Sequence, residues 1–279
     1  MSLPTVALPS GRQVPALGMG TWKMGEDARR RAAEVAALRR GIELGMTLID
    51  TAEMYGEGAA ERLIGETVRG RRDEVFLVSK VYPHNASRHG VAAACERSLK
   101  RLGVDSIDLY LLHWRGSIPL AETLEAFEEL RRAGKIAAFG VSNFDTVDLE
   151  ESWAAAHGRE IAVNQILYNL TRRGVEIDLL PWCREQNVAV MAYSPIEQGR
   201  LARDANLKKM AAARGVTAAQ LALQWVLAQP GVIVIPKAGD PAHVEENRAA
   251  AELSLTDREM AELNSIFPRP SKRKPLEML

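Results

Sequence analysis

Asp50, Tyr55, Lys80 and His113 are the residue types from which a tuned proton donor can be assembled. A phenol titrates near ~10 and parts reluctantly with its proton at neutral pH. An ammonium beside it stabilises the phenolate, and each unit by which the pKa falls is worth ~1.4 kcal/mol. A carboxylate would keep that ammonium charged and oriented. In this reading Tyr55 is the acid, Lys80 its electrostatic tuner and Asp50 the anchor of Lys80. His113 donates to the same substrate oxygen and stabilises the negative charge that develops there. The chemistry is proton delivery to a carbonyl oxygen, and a positioned acid contributes ~10²–10⁴ in rate. Taken singly, each residue has an ordinary role: Asp50 caps a turn, Tyr55 beside Gly56 packs, Lys80 snorkels, and His113 before Trp114 is structural.

What joins them is their place in the pattern. Strand-like apolar runs end at or near chemically useful side chains: TLI at Asp50, VFLVS at Lys80, LYLL at His113 and FGV at Ser142 and Asn143. AVN leads to Gln165, VAVMA to Tyr193 and Ser194, and VIVIP to Lys237. A parallel barrel gathers the C-terminal ends of its strands on one face, so these residues would share one pocket.

The elements that must position them follow from periodicity. Residues 3–15 read as a hairpin, TVAL and QVPAL joined by PSGR. Strands are expected near 47–50, 75–80, 107–112, 136–141, 161–165, 188–193 and 232–235, after a first one ending at Gly20. Helices are expected near 28–44, 59–69, 88–102, 119–133, 145–157, 175–187, 203–213, 218–229 and 241–251. Thr217 with Gln220, and Thr256 with Glu259, are capping boxes opening two late helices; Leu255 and Met260 form a staple at the second. Gly45 and Gly134 end their helices. Eight strand–helix units with strands apolar on both faces, and no G-x-G-x-x-G turn, predict an α/β fold, a (β/α)8 TIM barrel with the hairpin at its base. Residues 1–267 are read as a single barrel domain. Residues 268–279, with three prolines and a basic run from Lys272 to Lys274, are read as a disordered tail.

Composition bounds the partners. The 279 residues carry 36 basic and 36 acidic side chains, so no global field recruits nucleic acid or a membrane surface. Two cysteines far apart, Cys95 and Cys183, make neither a disulfide framework nor a metal-ligand cluster, and no metal is expected. Cys95 shares a helical stripe with Val91, Ala94, Ser98 and Leu102, as a buried inert thiol would. No signal-peptide pattern opens the sequence and no apolar run reaches ~18 residues, so a cytoplasmic protein is expected.

LIDTAEMYGEG, FLVSK, LYLLHW, GVSNF, AYSP and VIPK occur in the order found in aldo-keto reductases, and the chain resembles that family from residue 17 to about 250. The resemblance implies a nicotinamide cofactor bound without a Rossmann fold, and Asp50, Tyr55, Lys80 and His113 as the catalytic tetrad. It implies a cofactor cradle of Gly20, Thr21 and Lys23 after the first strand, with Asp50 at its floor. Ser142, Asn143 and Gln165 would hydrogen-bond the carboxamide, and Tyr193 would stack on the nicotinamide ring. Ser194, Pro195, Ile196, Gly199 and Leu201 would line the pyrophosphate loop. Trp22, Tyr55, His113 and Trp114 would border the substrate, excluding water from the carbonyl. A monomer is also implied.

At the adenosine end the pattern departs. Family members that prefer the phosphorylated cofactor commonly carry Lys-Ser, with an arginine six residues after the lysine. Here Lys237 is present, but Ala238 replaces the serine, His243 stands at the arginine position, and Asp240 lies between. A guanidinium fork fits phosphate better than an imidazole. Glu246 and Asn247 match the adenine-contacting pair. NADPH is expected, with weakened discrimination against NADH. The activity implied is reduction of small aldehydes, such as α-oxoaldehydes or sugar aldehydes. Two alternatives stand beside it: a catalytically weak nicotinamide-binding regulatory module, and a Schiff-base lyase using Lys80 as nucleophile.

Overall fold

The computed structural model describes residues 3–279. Two short antiparallel strands come first, β1 (Thr5–Ala7) and β2 (Gln13–Pro15), in register Val6 to Val14. The barrel then runs β3 (Met19–Gly20), α1 (Arg31–Glu43), β4 (Leu48–Asp50), α2 (Ala59–Thr67), β5 (Phe76–Val81), α3 (Arg88–Leu102), β6 (Ile107–Leu112) and α4 (Leu120–Arg132). It continues with β7 (Ile136–Ser142), α5 (Thr146–Ala154), β8 (Val163–Leu167), α6 (Leu179–Glu185), β9 (Ala189–Tyr193), α7 (Ala205–Ala212), α8 (Ala218–Leu227), β10 (Val232–Val234), α9 (Pro241–Ala250) and α10 (Asp257–Ile266). Strands β3 to β10 pair in sequence order, all parallel, and bridges from Leu17 to Val234 and from Gly20 to Lys237 close the ring.

Alternation along each strand builds both the core and the site, because successive side chains point to opposite faces. Leu48, Phe76, Val78, Leu109, Leu111, Val163, Ala189, Met191, Ile233 and Ile235 fill the interior with Leu8 and Val14 of the hairpin, which plug the floor. Two residues further along the same inward columns stand Asp50, Lys80, His113, Gln165, Tyr193 and Lys237. The intervening residues, among them Leu77, Val81, Tyr110, Leu112, Ile166 and Val190, face the helices and form a second, larger core layer.

Both capping boxes form as read, and a third, Asp145 with Asp148, opens α5. Two helices differ from expectation. In place of one helix over 175–187, a 3-10 turn at Gly174–Glu176 precedes α6, with Asp178 outside helical geometry. Pro181 accounts for this: it has no N–H for the Ile177 carbonyl, so it is tolerated only in a first turn. Helix α5 stops at Ala154, and the chain reverses through His157 at φ 63°.

Residues 268–279 carry no regular secondary structure, yet they are packed rather than free. Arg273 pairs with Asp178 at 2.8 Å, Glu277 with Arg172 at 2.6 Å, and Leu276 rests on the outer core. The sequence predicts a disordered tail here because the acidic partners of the basic run lie on distant elements. No helix among the described residues is long and apolar enough to cross a membrane.

Candidate active site

The C-terminal ends of β4, β5 and β6 place three of the four candidate residues within one cluster, and the loop after β4 supplies the fourth. Lys80 is fully buried and its Nζ donates to Asp50 Oδ2 at 2.8 Å, to the Thr51 carbonyl at 2.7 Å and to Tyr55 Oη at 3.1 Å. Three acceptors around one ammonium match its three protons. The other oxygen of Asp50 accepts from Gln165 Nε2 at 2.7 Å. The Tyr55 and His113 rings meet edge to face, centroids 5.8 Å apart. Glu53 steadies the Tyr55 loop from below: its carboxylate accepts from the Tyr82 N–H and from Asn85, and pairs with Arg97.

Electrostatics refine the roles. Burial disfavours the Lys80 ammonium, but Asp50 and Tyr55 more than offset it and hold Lys80 above its ordinary pKa. A paired, protonated lysine is a poor amine nucleophile, which counts against a Schiff base. Burial pushes the Tyr55 phenol up, Lys80 pulls it back and Asp50 adds to the rise, leaving it above its ordinary value. The downward pull of Lys80 is legible in the sequence, whereas the burial that outweighs it is not. The difference suits an acid, since the phenol stays protonated at neutral pH while the neighbouring cation eases loss of the proton. His113 is driven down to about 2 by burial and then by Lys80, so its imidazole is neutral. Its Nδ1 is sealed off without a partner. A buried orphan acceptor costs less than a buried orphan donor, which places the proton on Nε2.

Beside this cluster lies a second set of polar groups. Asn143, held at φ 58°, donates to the His113 carbonyl and to Ser142 Oγ, and accepts from Tyr193 Oη at 2.9 Å. With its nitrogen on Asp50, Gln165 keeps its carbonyl oxygen as an acceptor, and the Ser142 hydroxyl keeps a proton to donate. One donor and one acceptor on adjacent strands fit a primary carboxamide. Thr21 is buried and donates to the Asp50 carbonyl; Lys23, at φ 61°, lays its ammonium over the Trp22 ring at 4.4 Å. Trp22 is 40% exposed, and Trp114 packs against both His113 and Tyr82, giving the mouth an aromatic wall. Tyr82 was not singled out in sequence, though it follows β5 directly.

The segment after β9 winds through positive φ at Ser194, Glu197, Gln198 and Gly199. Its brace is Glu197, buried and bonded to Asn169 at 2.7 Å and Arg172 at 2.6 Å. Neither Asn169 nor Arg172 was foreseen, although both follow β8 at the mouth. Ser194 and Ile196 are partly exposed there, while Pro195 is buried and Leu201 turns its side chain into the core.

Residues 16–267 match the model of the aldo/keto reductase family. The chain belongs to this family. It is 51% identical over 95% of both chains to the methylglyoxal reductase YeaE of Escherichia coli (strain K12). It is 34% identical to a glyoxal reductase of Bacillus subtilis (strain 168), over 94% of this chain and 92% of that one. The crystal structure of an aldo-keto reductase from Klebsiella pneumoniae in complex with NADPH superposes with a TM-score of 0.97 at 50% identity, covering all of both chains. The barrel with its basal hairpin, the nicotinamide cofactor and the reduction of carbonyl groups are thus this aldo-keto reductase's own.

At the far end of the cradle, Lys237 lies beside Gly20 across the closing bridge. Asp240 does not face it in competition with phosphate: its carboxylate caps α9, accepting from the Ala242 N–H at 2.8 Å. His243 is exposed in the first turn of α9, Asn247 is buried, and Glu246 takes the Thr217 hydroxyl at 2.6 Å.

Proposed function

We propose that this aldo-keto reductase uses NADPH to reduce small α-oxoaldehydes, with Tyr55 delivering the proton to the carbonyl oxygen. The supporting observation is the chain Asp50–Lys80–Tyr55, in contacts of 2.8 and 3.1 Å, opening at the barrel mouth. The two relatives named for methylglyoxal and glyoxal support the substrate class.

When bound, the dihydronicotinamide supplies a hydride to the carbonyl carbon. Ser142 and Gln165 would hold its carboxamide, Tyr193 its ring, and Gly20, Thr21, Lys23 and the 194–201 segment its pyrophosphate, with Glu246 and Asn247 at the adenine. His113 Nε2–H and the Tyr55 hydroxyl converge on the substrate oxygen and stabilise its growing negative charge. As the Tyr55 proton leaves, Lys80 stabilises the phenolate, and Asp50 keeps Lys80 charged and aimed. Trp22, Trp114 and Tyr82 exclude water around the reacting carbonyl. We take residues 1–267 as one catalytic barrel, working as a monomer in the cytoplasm, a setting that two buried, unpaired thiols fit.

Tyr55→Phe tests the assignment. Turnover with methylglyoxal is expected to fall by at least ~10²-fold, the contribution of a positioned acid, while NADPH still quenches intrinsic fluorescence with an unchanged Kd. Retention of a tenth of wild-type turnover, or more, would show that another group donates the proton.

A further inference from the structure

Arg29, Arg30 and Arg31 stand together where α1 begins. Cations are a poor choice there, since aligned peptide dipoles already present positive charge and the N-cap favours small hydrogen-bond acceptors. Two of the three are neutralised locally, Arg29 by Asp27 at 2.9 Å and Arg31 by Glu66 at 2.6 Å. Arg30, the N-cap residue itself, makes no hydrogen bond through its guanidinium to another described residue. Its ion-pair contact is Glu34, at 3.8 Å, and the other oxygen of that carboxylate accepts the Gly25 N–H at 2.8 Å.

The Arg30 guanidinium points across the barrel rim toward the end of β10. A Cβ built on Gly239 would lie 3.0 Å from Arg30 Nη2, 3.4 Å from Lys237 Nζ and 3.5 Å from Glu34 Cγ, so two cations and one acidic side chain meet at a small hollow beside a residue without a side chain. Lys237 makes no salt bridge with another described residue, and Arg30 adds to the burial that depresses its pKa. Lys23 lowers it too, with Glu34 and Glu26 opposing. Convergence of like charges costs free energy that an anion held between them would reverse.

We propose that Arg30 supplies the guanidinium that, with Lys237, binds the 2′-phosphate of the cofactor, doing from α1 what the family pattern assigns to an arginine at position 243. A guanidinium offers phosphate two parallel N–H bonds, which the exposed His243 imidazole lacks. Asp240, turned away as the α9 cap, adds no carboxylate there, so the two cations outnumber the Glu34 carboxylate. Discrimination between NADPH and NADH is then set by residues 30 and 237 together. This inference rests on the nicotinamide-dependent reading of the site.

Fluorescence titration of wild type and Arg30→Gln with NADPH and with NADH tests it. In Arg30→Gln the Kd for NADPH is expected to rise at least about tenfold, the scale of a lost charge-assisted hydrogen bond, with the Kd for NADH unchanged. The wild-type preference for NADPH should also weaken with added salt, and do so less in the variant. The melting temperature of Arg30→Gln reports the fold and should not fall. An unchanged Kd for NADPH, or an equal rise for both nucleotides, overturns the assignment. Wild-type protein that binds neither nucleotide would instead sink the cofactor reading, and this inference with it.

Discussion

At the scale of single residues, burial has its clearest consequence at His113. Folded, it titrates at about 2; the ordinary value is 6.5. Between those values the unfolded chain binds a proton that the folded chain does not, so unfolding is favoured as pH falls through 6.5. The contribution is fully present above 6.5 and is lost at ~1.4 kcal/mol per pH unit below it. His113→Gln removes this term. Between pH 7.5 and pH 5, wild type should lose about 2 kcal/mol more stability than the variant, measured by urea denaturation at each pH. Equal losses would mean that His113 is charged or solvated in the folded protein. The tetrad was legible because each member carries its own chemistry and ends an apolar run. The neutral state of His113 and the raised Tyr55 pKa were not, because they depend on how completely neighbouring strands remove water.

At the scale of elements, the site is an extension of core packing. The inward columns of β4 to β10 begin apolar toward the floor and turn polar at the mouth, as in Phe76, Val78, Lys80 and in Leu109, Leu111, His113. That period of two was readable in the sequence, as were the helices it alternates with. The break within 175–187 has a local signal as well, since Pro181 has no N–H to continue a helix. Close approach between strands left a fainter trace: Gly140 sits where a Cβ would lie 2.4 Å from the Val163 carbonyl and 2.9 Å from Leu111. The next residues along these strands pair Val141 with Asn164 and Ser142 with Gln165. Gly140→Ala must therefore push β7 from β8 just below the two groups expected to hold the carboxamide. Stability should drop by about 1–3 kcal/mol, the usual cost of overpacking, and NADPH affinity should drop with it. Thermal unfolding and cofactor titration check both. A loss of stability with unaltered affinity would place the carboxamide elsewhere.

At the scale of the whole molecule, one arginine ties three distant parts together. Arg172, after β8, holds Glu197 in the segment after β9 and Glu277 in the final stretch, each at 2.6 Å. The Leu279 backbone also acts on the Tyr193 phenol, opposing the rise in its pKa that burial causes. Such a tie joins residues 25 and 105 positions apart, and no local sequence signal could reveal it. Glu197 is 4% exposed, so removing its partner leaves a buried carboxylate with Asn169 and a distant Arg200 as remaining support. Arg172→Leu should therefore destabilise the fold by about 2 kcal/mol, somewhat below the ~3–5 kcal/mol of a fully broken buried pair. It should also speed amide hydrogen exchange over residues 194–201 and 273–279 together, and weaken NADPH binding. Glu277→Gln cuts one arm only: exchange should rise in 273–279 while 194–201 and the NADPH Kd stay as in wild type. If Arg172→Leu loosens one segment without the other, the two are anchored independently of this arginine.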